Sequence, residues 1–78
     1  MELKELRLLF ESGALKEAHI CELFGEWTLE CTRPGRETAV MTTSRRGEIR
    51  RFKSLDAAFA AAQAVGFRRA TVTVSAAD

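Results

Sequence analysis

Seventy-eight residues, 46% of them apolar, make one small domain and are too few to wall a deep substrate cavity, because so short a chain keeps roughly a third of its extended surface exposed. No apolar run of about 18 residues occurs, which excludes a membrane-spanning helix, and "MELKELRLLF" lacks the basic start and small-residue cleavage site of a signal peptide; a cytoplasmic location is expected. The net charge of +1 hides an asymmetry: residues 1–30 carry seven acids and three bases, about −4, while residues 31–78 carry four acids and nine bases, about +5. Such polarity can steer an anionic partner or let two copies attract one another.

Along the chain, Leu3, Leu6, Leu9 and Phe10 recur at helical spacing in "MELKELRLLFESG" and predict a short amphipathic helix that Gly13 ends. "AHICELF" and "WTLECT" alternate as strands. His19, Cys21 and Leu23 share one face of the first; Trp27, Leu29 and Cys31 share a face of the second, with Thr28, Glu30 and Thr32 opposite. Gly25-Glu26 between them predicts a hairpin turn. "RPGRE" holds the only proline and predicts a type II turn, with Gly35 at positive φ. "TAVMTTS" reads as a third strand and "EIRRF" as a fourth, joined through Arg45-Arg46-Gly47 into an antiparallel meander.

Ser54 then caps a helix with Asp56 in its first turn and Leu55, Ala58, Phe59 and Ala62 on one stripe, up to Gly66. "RRATVTVS" alternates Val72 and Val74 with Thr71, Thr73 and Ser75 and predicts a last, half-buried strand before a frayed "SAAD". The expected fold is a single α+β domain over residues 1–78 in the order α-β-β-β-β-α-β: a two-layer sandwich, mainly antiparallel, with both helices on one face of the sheet and a Thr-rich wet face opposite.

The densest functional signal is "SRRGEIRRFKS", residues 44–54, which gathers five of the twelve basic residues into eleven positions. Arg45, Arg46, Arg50 and Arg51, supported by Arg33 and Arg36, are the candidate contacts to DNA phosphates, where counter-ion release gives salt-sensitive affinity. Arg50 and Arg51 lie on opposite sides of a regular strand, so they do not both reach one duplex. The competing reading is a charged edge strand that resists aggregation.

The other constellations favour structure over chemistry. His19, Cys21 and Cys31 are the conceivable metal group, but their spacing is not that of a zinc finger or ribbon, so no metal is expected. The two cysteines read as reduced, small apolar strand residues. No phosphate-cradling Gly-rich loop and no acid-base constellation occur, so neither a cofactor nor an enzyme is expected, and Glu22 and Glu30 read as facing each other across the first hairpin. Trp27 goes to the core by its parity with Leu29. Ile20 and Val40 fall on the open face if Cys21 and Met41 face the helices, and are then the candidate homodimer interface.

"LRLLFESGAL", "EWTL" and "RRGEIRRFKSLDAAFAAAQAVGFRRATV" together resemble the ParC family of plasmid partition-associated proteins over most of the chain. The resemblance implies a role in maintaining plasmids or integrating elements, beside a partition ATPase or a centromere-binding protein, and supplies no catalytic residues. The expectation is therefore a non-enzymatic accessory protein contacting DNA phosphates through a basic hairpin. The alternative is a homodimeric protein-interaction module without nucleic-acid contact.

Overall fold

In the computed structural model, which describes residues 1–35 and 38–75, helix α1 spans Leu3–Glu11. The Glu5 carboxylate accepts a hydrogen bond from the Glu2 amide at 3.0 Å, satisfying one donor at the helix start, and Leu6 carries the helix into the core. Strands β1 (Glu17–Leu23) and β2 (Glu26–Thr32) pair antiparallel from Glu17 opposite Thr32 to Leu23 opposite Glu26. Their turn is Phe24-Gly25, one residue earlier than expected, with φ of 53° and 78°; two positive φ values define the type I′ turn whose twist matches a two-residue hairpin.

β3 (Val40–Met41) adds antiparallel to β2. The expected fourth meander strand does not form. Ile49 bridges to Thr43, and Arg50 donates to the Thr42 carbonyl at 2.9 Å, but three residues after Ile49 Phe52 has already moved to β2, bridging to Trp27. A segment that changes partner so quickly builds no continuous ladder. Residues 43–51 instead leave the β2 edge after Thr42, whose amide donates to Leu29, and return to it at Phe52.

Ser54 Oγ accepts from the Ala57 amide at 3.1 Å and starts α2, Leu55–Val65. Its buried stripe is Ala58, Ala61, Ala62 and Val65, while Leu55 is 38% exposed. Helix α2 lies over β1 and β2, and α1 packs against α2. Because α2 carries the chain back along the sheet, β4 (Thr71–Val74) runs parallel to β1, so the sheet is mixed rather than wholly antiparallel, in the order β3-β2-β1-β4. Among the described residues the result is a small α+β fold with two helices and a four-stranded sheet.

Ala18, Ile20, Leu29 and Cys31 form the helix-covered sheet face, joined in the core by Leu6, Val65 and Phe67. This overturns the placement of Ile20 and Val40 on an open face. Ile20 stands opposite Leu29 and is completely buried, and Val40 stands opposite Cys31 and packs on the same core. Met41 and Cys21 are on the other face, opposite Glu30 and Thr28. Glu22 faces Trp27 rather than Glu30; its carboxylate accepts from the Gly25 amide at 2.7 Å and from Ser75 Oγ at 3.2 Å, tying the hairpin turn to the end of β4. Among the described residues no helix is long and apolar enough to cross a membrane.

Candidate functional site

The basic segment resolves into side chains with different fates. Ser44 to Glu48 form a closed turn: the Ser44 amide donates to the Glu48 carbonyl at 2.7 Å, the Gly47 amide to the Ser44 carbonyl at 2.9 Å and the Arg46 amide to Ser44 Oγ at 3.3 Å. Gly47 takes φ of 85°, which its missing Cβ allows. Arg45 and Arg46 sit exposed on this turn and form no ion pair among the described residues.

Arg50 and Arg51 do diverge. The Arg50 guanidinium lies over the Phe52 ring, 5.1 Å from its centroid, and keeps its charge there. Arg51 Nη1 is 2.9 Å from Glu26 Oε2, an exposed ion pair at the surface. Arg33 is half-buried, with its Nε shielded and lacking a hydrogen-bond partner among the described residues. Arg36 lies outside the described residues. Among the described residues Arg45, Arg46 and Arg50 thus form no ion pair, whereas Arg51 is paired with Glu26 at the surface.

A second basic surface escaped the sequence reading. Lys16 before β1 and Arg68-Arg69 before β4 line a groove of about 680 Å³ together with Phe10, Ala18 and Phe67, with Glu17 the one acid among the described residues on its wall. Lys16 and Arg68 are 52 positions apart in the chain and meet only because β4 lies beside β1. This cluster flanks the sheet edge opposite the one that carries Arg45 and Arg46.

On the open sheet face, β1 alternation sets His19 beside Cys21, and the β1–β2 register puts Glu30 directly across from His19. His19 Nδ1 is 3.0 Å from Glu30 Oε1, and Nε2 is 2.7 Å from Thr73 Oγ1 on β4. Cys31, the third member of the conceivable metal group, is on the other face in the core. Burial, and secondarily the Glu30 carboxylate, push both thiols up, Cys31 to about 11.

Comparison of the chain with family models, with curated proteins and with solved structures found no match. The likeness to partition-associated proteins rests on the quoted sequence segments alone.

Proposed function

We propose that this chain is a non-enzymatic accessory protein that contacts DNA phosphates through the Ser44–Glu48 turn, in the plasmid- or mobile-element maintenance setting implied by its resemblance to the ParC family. The observation that carries the reading is the pair Arg45 and Arg46: adjacent, exposed, free of acidic partners among the described residues, and held on a hydrogen-bonded turn. Arginines at a turn position a protein on the phosphate backbone without reading bases. Arg50 adds a third charge on the same excursion.

The test is fluorescence anisotropy of a labelled duplex at low and moderate salt, with wild type and the Arg45→Ala/Arg46→Ala variant. Two lost phosphate contacts reduce the slope of log K against log salt by roughly 2. Absence of binding at low salt, or an unchanged slope in the double variant, overturns the reading.

A second reading, a homodimeric or partner-binding module, is favoured by a different observation. Phe24 is 92% exposed at the hairpin tip beside Leu23 at 56%, and all four residues of edge strand β4 are exposed, including Val72 and Val74. Ile20 and Val40 have no part in it, being on the covered face. Sedimentation at several salt concentrations separates the two readings, since apolar association persists as salt rises.

A further inference from the structure

Three side chains that the proposed DNA contact does not use converge on the open sheet face. One ligand atom each from His19, Cys21 and Glu30 lies within 4.8 Å of the others, and all three residues are half-buried. We propose that they bind a zinc-class divalent cation, with His19 Nδ1, Cys21 Sγ and a Glu30 oxygen as ligands and the fourth position open to water.

The spacing fits such an ion. Bonds of about 2.0–2.3 Å in a tetrahedron place the ligand atoms roughly 3.3–3.6 Å apart. Here Nδ1 is 3.0 Å from Glu30 Oε1, while Cys21 Sγ lies 3.9 Å from Nδ1 and 3.8 Å from Nε2, beside the ring, so a change of the Cys21 χ1 rotamer is what brings the sulfur to a shared ion. A thiolate, an imidazole and a carboxylate together suit zinc better than calcium or magnesium, which prefer oxygen alone.

Thr73 supplies the orienting partner that metal-bound imidazoles characteristically have. Its Oγ1 lies 2.7 Å from Nε2, and once Nδ1 holds the metal it is Nε2–H that donates to it. A proton shared between Nδ1 and Glu30 Oε1 accounts for their 3.0 Å separation, and a bound metal ion takes that proton's place. The metal has the further advantage of ligating Cys21, whose S–H bond breaks as the sulfur–metal bond forms and whose proton passes to solvent.

The experiment titrates cobalt(II), then zinc(II), into the reduced full chain. A stoichiometric complex with a thiolate-to-cobalt charge-transfer band that zinc abolishes is expected. Cys21→Ser removes the band, Cys31→Ala keeps it, and His19→Ala and Glu30→Gln weaken binding. Thr73→Val, which keeps every ligand, weakens zinc affinity about tenfold. Far-ultraviolet circular dichroism verifies that each variant folds, which their position on the open face favours. No charge-transfer band in the wild type, or a band that survives Cys21→Ser or disappears with Cys31→Ala, overturns the site. Neither result bears on DNA binding by Arg45 and Arg46.

Discussion

The ring of Phe10 occupies the space that a Cβ on Gly66 would fill: such an atom would lie 2.5 Å from Phe10 Cδ1 and 2.6 Å from Cε1. Gly66 ends α2 with φ of 133°, and its absent side chain lets the α1 ring settle edge-on against Phe67 at a centroid distance of 4.9 Å. Gly66→Ala thus combines a backbone conformation that L residues rarely adopt with a clash inside the helix pair, and is expected to cost more than about 2 kcal/mol. Gly13, at φ of 80° with nothing within 4 Å of its virtual Cβ, is the control: Gly13→Ala carries only the conformational cost, roughly 1 kcal/mol. Urea denaturation of the two variants checks the difference.

Thr42 gives a prediction of opposite sign. It is completely buried, and its hydroxyl has no partner among the described residues, although its amide and carbonyl are bonded to Leu29 and Arg50. Thr42→Val replaces an unpaired buried hydroxyl with a methyl of similar shape and leaves the backbone bonds in place. A gain of roughly 0.5–1 kcal/mol is expected in thermal or urea unfolding. A loss would mean that an ordered water serves the hydroxyl.

The two helices, the first hairpin and the last strand were legible in the sequence, because period-two and helical spacing are local, whereas the strand expected at "EIRRF" reduces to isolated bridges. Which strand face the helices cover was not, and the reason is arithmetic. A two-residue turn pairs an even-numbered residue with an odd-numbered one, so once Leu29 faces the core, Ile20 must join it and Cys21 must face away with Thr28. The same parity exchanges Cys31 for Glu30 beside His19. Arg45 and Arg46 were legible as turn residues, whereas the Arg51–Glu26 pair and the Lys16, Arg68 and Arg69 cluster depend on contacts between segments distant in sequence. β4 was recognisable as a strand, but its parallel direction follows from the course of α2 and not from its own residues.

Phe24 pays a local cost for its position: a bulky aromatic at φ of 53°, where asparagine or glycine is favoured. Phe24→Asn creates the Asn-Gly pair best suited to a type I′ turn and removes a 92% exposed ring. Stability is expected to rise by roughly 0.5–1 kcal/mol. If the hairpin tip is a docking surface, the same variant lowers self-association in sedimentation velocity; unchanged sedimentation removes Phe24 from any interface between copies.

The buried thiol of Cys31 makes stability fall in alkali. Burial, with a smaller contribution from Glu30, raises it from the ordinary 9.0 to about 11 in the folded chain. Between these values the unfolded chain has lost the proton and the folded chain has kept it, so the unfolded state binds fewer protons and stability declines as pH rises. Below pH 9.0 both states hold the proton and the contribution is complete. Across the window the loss approaches roughly 2–3 kcal/mol. Cys21 shifts in the same direction, so Cys31→Ala is expected to flatten the alkaline slope in urea unfolding without abolishing it. Thiol reagents give an independent check: in the folded protein half-exposed Cys21 reacts first, and buried Cys31 follows only at the rate of opening. Equal reactivity of the two thiols, or an alkaline slope that Cys31→Ala leaves unchanged, would remove Cys31 from the core position assigned to it.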